Sequence, residues 1–76
     1  MSIKDLEEFI LINQVPEDAF SLNGGLPNEA YCINREENQW EVYYSERGRK
    51  CGLVKFDTES SACDYFQSLI SRELQL

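Results

Sequence analysis

Apolar residues recur at helical spacing near both ends of the chain and alternate with polar ones in its middle. Ile3, Leu6, Phe9, Ile10 and, at the far end, Asn13 share one helical face, with Lys4, Glu7 and Glu8 outside it. Ser2 and Asp5, three positions apart, form a helix-capping pair. Val15-Pro16 predicts the stop, because the residue before a proline avoids the helical region. Pro16 to Leu22 reads as a short helical turn that connects this helix to a sheet. Its proline suits the first position, and Glu17 and Asp18 face the positive end of its dipole. Asn23-Gly24-Gly25 ends it, since glycine takes positive φ without steric penalty.

Three strands are expected next. Ala30 to Asn34 is the first, followed by the polar turn Arg35-Glu36-Glu37-Asn38. Gln39 to Glu46 is the clearest, with Trp40, Val42 and Tyr44 on one side and Glu41, Tyr43 and Ser45 on the other. After the tight connection Arg47-Gly48-Arg49 comes Lys50 to Phe56, whose weak alternation leaves two inward sets open: Val54 and Phe56, or Cys51 and Leu53. Short connections imply an antiparallel meander. A last helix is capped by Asp57 or Thr58, complemented by Glu59 at its start and Arg72 at its end. Ala62, Phe66, Leu69 and Ile70 form its apolar stripe, which Cys63 and Tyr65 widen. The expected fold class is α+β in two layers: an N-terminal helix, a three-stranded antiparallel β-meander and a C-terminal helix. Both helices cover one sheet face, because three strands alone bury too little apolar surface. Seventy-six residues make a single domain, 1–76, with one small core.

Composition narrows the function classes. With 42% hydrophobic and 28% charged residues, the chain has the makeup of a folded globular domain. Fourteen acids against seven bases give a net charge of −7, and there is no histidine. Histidine acid–base catalysis, histidine metal sites and a generally basic nucleic-acid surface are thereby excluded. The start of the chain carries no secretory pattern. Its longest apolar run, Phe9 to Ile12, is far short of the ~20 residues of a membrane span. Three cysteines, an odd number, cannot all pair within one chain. Reduced thiols, a cytoplasmic location and no membrane partner are the expectation.

Candidate chemistry is sparse. Glu36-Glu37, Glu41 and Glu17-Asp18 place carboxylates close together, but a catalytic pair needs environments that drive the two pKa values apart, and acids in polar turns are both solvated. Cys32, Cys51 and Cys63 lie 19 and 12 positions apart, without the close pairs of a zinc site. Cys51 follows Arg49 and Lys50, cations that would lower a thiol pKa, yet no base accompanies it; a small buried hydrophobe is the ordinary role of such a thiol. Gly24-Gly25 lacks the spacing and the Lys-Ser/Thr of a phosphate loop. No catalytic residue, metal or cofactor is assigned, and an enzyme is not expected.

Charge is unevenly placed. Residues 1–46 hold ten acids against two bases, a net of −8, whereas residues 47–76 hold four acids against five bases, a net of +1. Arg47, Arg49, Lys50 and Lys55, beside Tyr43 and Tyr44, suggest a nucleotide platform. Cross-strand pairing of these cations with Glu41 and Glu46 accounts for them more simply, given the negative surroundings. The acidic portion, interleaved with Tyr31, Trp40, Tyr43 and Tyr44, suits capture of a basic protein surface such as a nuclease cleft.

The stretch Trp40-Glu41-Val42-Tyr43-Tyr44-Ser45-Glu46-Arg47-Gly48, followed by Phe56-Asp57-Thr58-Glu59 and Ala62-Cys63-Asp64-Tyr65-Phe66, resembles small bacterial immunity proteins. These are the cognate antitoxins of polymorphic and contact-dependent growth-inhibition toxins. The resemblance covers roughly residues 26–70 and carries no catalytic motif. It implies stoichiometric inhibition of a toxin domain with a basic surface, often a nuclease, by blocking its active site or substrate groove. Glu36, Glu37, Glu41, Tyr43, Tyr44 and Glu46 are the expected partner-binding residues. The alternatives are an adaptor that accepts a partner strand at a sheet edge and, less favoured, a nucleic-acid-binding domain.

Overall fold

Ser2 and Asp5 close a reciprocal capping box. The Ser2 Oγ accepts the Asp5 N–H at 3.2 Å, and the Asp5 carboxylate accepts the Ser2 N–H at 3.0 Å. They open helix α1, Ile3–Ile12, in the structure, a computed structural model that describes residues 1–76. The helix ends by reversing its backbone. Gln14 adopts a left-handed φ of 53°, so its N–H reaches the Leu11 carbonyl at 3.2 Å and the Val15 N–H reaches that of Ile10 at 3.1 Å. The same reversal turns Val15 into the core beside Ile10.

A single 3-10 turn, Glu17–Ala19, follows Pro16. It is shorter than the sequence suggests, because Phe20–Ser21 leaves it as strand β1, in parallel register with Tyr31 and Cys32. Strands β2 (Ala30–Glu36), β3 (Gln39–Glu46) and β4 (Arg49–Phe56) then form the expected antiparallel meander. Helix α2 spans Glu59–Glu73. The class is α+β with a helix at each end, but the sheet is four-stranded and mixed, in the order β1-β2-β3-β4, where three antiparallel strands were expected. Parallel neighbours need a crossover, and residues 22–29 supply it: Leu22 packs on the helix-side core, whereas Gly24 abuts Asn34 and Gly25 accepts from Tyr43 on the opposite face.

Both helices pack on the same sheet face. Ile33 and Val42 meet Leu6 and Ile10 of α1 and Ala62, Cys63, Phe66 and Ile70 of α2, with Tyr31, Trp40 and Phe56 at the margin. Burying a Leu, Ile or Phe side chain fully is worth about 1.5–3 kcal/mol, so this cluster supplies most of the apolar driving force. Thr58 is the α2 cap, its Oγ1 accepting the Ser61 N–H at 3.1 Å. Asp57 instead accepts from Gln39 Nε2 at 3.3 Å. Glu59 reaches across to accept the Ile3 N–H at 2.9 Å, which ties the first turns of the two helices together.

The weak alternation of β4 has a local cause. Val42 pairs with Val54 and Tyr44 with Cys51, so two residues, Gly52 and Leu53, stand opposite Tyr43. Gly52 sits at φ +62°, the left-handed position of a glycine bulge. The extra residue changes the phase of the strand. Cys51, Val54 and Phe56 consequently share the helix side, a mixture of the two inward sets that the pattern left open. No helix is long and apolar enough to cross a membrane.

Candidate partner-binding surface

Two of the six expected contact residues are buried. Glu41 is 3% exposed and Tyr43 is 1% exposed, both on the face opposite the helices, where Gly25 meets the Tyr43 hydroxyl. Lys50 Nζ lies 2.6 Å from Glu41 Oε1, and Asn34 Nδ2 donates to the same oxygen at 3.3 Å. The Lys50 ammonium also stands 4.9 Å above the Tyr43 ring, a cation–π distance. Tyr43 donates its hydroxyl to the Gly25 carbonyl at 2.6 Å. The expectation is corrected here: Tyr43 ties the crossover loop to the sheet, Glu41 is held by Lys50 and Asn34 within the sheet, and both are buried away from the surface. Burial pushes the Glu41 carboxyl up, but the hydrogen bonds from Lys50 and Asn34 outweigh it and hold the group below the usual carboxylate value. The Glu41 hydrogen bond in turn raises Lys50. Burial, with the neighbouring Cys32 and acids, pushes Tyr43 up to about 12.

Tyr44, one residue on, faces the helices. It is half-buried and packs on Tyr31 with ring centroids 4.7 Å apart. Trp40 lines the same side of the core. Glu36 and Glu37 are exposed at the β2–β3 turn, where Glu36 accepts from Asn34 Nδ2 at 3.2 Å. Glu46 is half-buried at the other end of β3, a strand length or about 24 Å away by the usual rise per residue. The six residues therefore divide between two faces and two ends of the sheet and make no single patch.

Cross-strand neutralisation is realised once. Lys50 pairs with Glu41, although Lys55 is the register partner of Glu41 and Ser45 that of Lys50. Glu46 and Arg49 are register partners without an ion pair. Cys32 and Cys63 are buried and Cys51 half-buried, all three as free thiols. Burial, reinforced by Glu59, pushes Cys63 up to about 11, and burial also raises Cys32.

The carboxylates of Glu7, Glu8, Glu17, Asp18, Glu29, Glu37 and Glu46 have no hydrogen-bond or ion-pair partner, whereas the other seven are engaged within the chain. Four of the free ones belong to α1 and the 3-10 turn. Between α1 and β1 lies an open cleft of about 240 Å³, lined by Glu7, Ile10, Leu11, Phe20 and Leu22. Leu11 is 76% exposed and Ile12 79% exposed. Sequence reasoning missed this surface. Its signal was the run Phe9 to Ile12, which gives α1 more aliphatic residues than one core-facing stripe can use. No family model, curated protein or solved structure matches the chain.

Proposed function

We propose that this chain is an immunity-type protein that binds and neutralises a toxin domain by covering a cationic active site or substrate groove. One observation carries the reading: half of the fourteen carboxylates have no partner within the chain, and six of those seven are exposed in a molecule of net charge −7. An unpaired acidic surface attracts a basic partner, accelerates its capture and repels copies of itself. A nuclease groove built to hold phosphates is a partner of that kind. The resemblance of residues 26–70 to immunity proteins points the same way.

The open β4 edge favours a second reading, an adaptor that accepts a partner strand. Its bulge at Gly52 and its flanking Arg49 and Lys55 are devices that protect an edge from pairing, so it ranks below the first.

The test is growth. A toxin domain encoded beside this chain, expressed alone, arrests the cell, and co-expression of the chain restores growth through an isolable one-to-one complex. Continued arrest with both proteins folded and abundant would overturn the reading.

A further inference from the structure

Building on that reading, we propose that the cleft between α1 and β1 is the docking site, and that its occupant is a cationic amphipathic segment of the partner: an apolar side chain in the cleft, flanked by Lys or Arg. The cleft has an apolar floor of Ile10, Leu11, Phe20 and Leu22 with one carboxylate, Glu7, on its wall. Leu11, in that floor, and Ile12, the next residue, are both exposed aliphatics at the end of α1. Most large side chains that a small domain leaves this exposed stand singly; here Leu11 lines the cleft and Ile12, exposed as well, follows it in the chain.

Charge selects the occupant. Glu7 and Glu8 on α1 and Glu17 and Asp18 just before β1 are exposed and unpaired, and Lys4 is the one cation on this stretch, leaving residues 4–18 strongly negative. A second copy of the chain would bring the same negative surface against itself. An anionic membrane would be repelled in the same way. A helix or strand that alternates aliphatic and basic residues satisfies both the floor and the rim. Beta-strand addition contributes little, since β1 has only two residues to pair.

The experiment uses the full chain and a defined probe, a 14-residue amphipathic Leu/Lys peptide, followed by backbone NMR and calorimetry. Expected are saturable one-to-one binding with shifts centred on Glu7, Leu11, Phe20 and Leu22. The doubly substituted Leu11→Ser/Ile12→Ser chain should bind about tenfold more weakly or worse, the loss expected for one buried aliphatic side chain. Both positions are solvent-facing, so its melting temperature should match the parent. Glu7→Gln/Glu8→Gln should weaken binding about threefold at low salt and lessen its salt dependence. Shifts centred elsewhere, no binding, unchanged affinity of the Ser pair, or a parent dimer abolished by Leu11→Ser/Ile12→Ser would each overturn the assignment. A toxin domain that the Ser pair still neutralises would also overturn the cleft while leaving the immunity reading intact; arrest unrelieved by the parent, with the peptide still bound in the cleft, would do the reverse.

Discussion

Lys50 bypasses its register partner Ser45 and lies along the ring of Tyr43 to place its Nζ 2.6 Å from Glu41 Oε1. The pair is asymmetric, because the carboxylate is buried while the lysine side chain retains 36% of its exposure. Lys50→Met strands a buried anion and should cost about 1–3 kcal/mol, less than a fully buried pair because solvent reaches the lysine. Glu41→Gln leaves a solvated cation and two hydrogen bonds within reach, and should cost less than Lys50→Met. Urea unfolding of both variants checks the order.

The same pair sets part of the acid limb of stability. Glu41 is held below its usual value of 4.5, so its contribution is complete above that pH and is lost as pH falls through the folded value. Lys50 is raised above 10.5, so its contribution is complete below that pH and is lost as pH rises through the folded value. Glu41→Gln should flatten the loss of stability below about pH 4.5. It should not abolish that loss, since the Asp5 carboxyl, depressed by its hydrogen bonds to Ser2, titrates there too. Unfolding free energies from pH 2 to 7 for parent and variant would show the difference in slope.

Gly24 and Gly52 both have positive φ but differ in what surrounds them. A Cβ on Gly24 would lie 2.5 Å from Asn34 Oδ1 and 2.9 Å from Asn34 Cβ, whereas one on Gly52 meets nothing within 4 Å. Gly52→Ala should cost the left-handed strain alone, about 1 kcal/mol. Gly24→Ala should cost about 2–4 kcal/mol, because Asn34 must move and release Glu41. Thermal melts of the two variants separate these cases.

Ser45 buries its hydroxyl completely without a hydrogen-bond partner. Removing an unsatisfied buried polar atom relieves its desolvation cost. Ser45→Ala is expected to be neutral or to stabilise by up to about 1 kcal/mol. A clear loss in urea unfolding would mean that the hydroxyl has a partner in solution.

Thiol labelling reports the packing of both sheet faces. Cys32 and Cys63 are buried with raised pKa values, and Cys51 is half-buried. Iodoacetamide at neutral pH should modify Cys51 first, and the other two at the rate of unfolding. Mass spectrometry of peptides over a time course reads this directly.

Local signals were legible where the physics is local. The Ser2–Asp5 box, the Thr58 cap, the three long strands within one or two residues and the stripe of Ala62, Phe66 and Ile70 all follow from neighbours in the chain. Strand β1 was not legible, since Phe20 and Ser21 become a strand only by pairing with Tyr31 and Cys32. The alternation of β3 placed Glu41, Tyr43 and Ser45 together correctly. That face looks solvated in the sequence, however, because the Gly24–Gly25 turn reaches it from 18 positions away, through a Tyr43–Gly25 hydrogen bond that no pattern encodes. Burial therefore removes Glu41 and Tyr43 from the expected contact residues, and the surface we propose in their place rests on the unpaired carboxylates.

The salt dependence of the association rate with a toxin domain encoded beside this chain, followed by stopped-flow fluorescence of Trp40, tests the central claim most directly. If unpaired carboxylates capture a basic groove, the rate constant should fall about tenfold or more between ~50 and ~500 mM salt while dissociation changes little. A rate constant indifferent to salt, or absence of any complex, would contradict capture by negative charge.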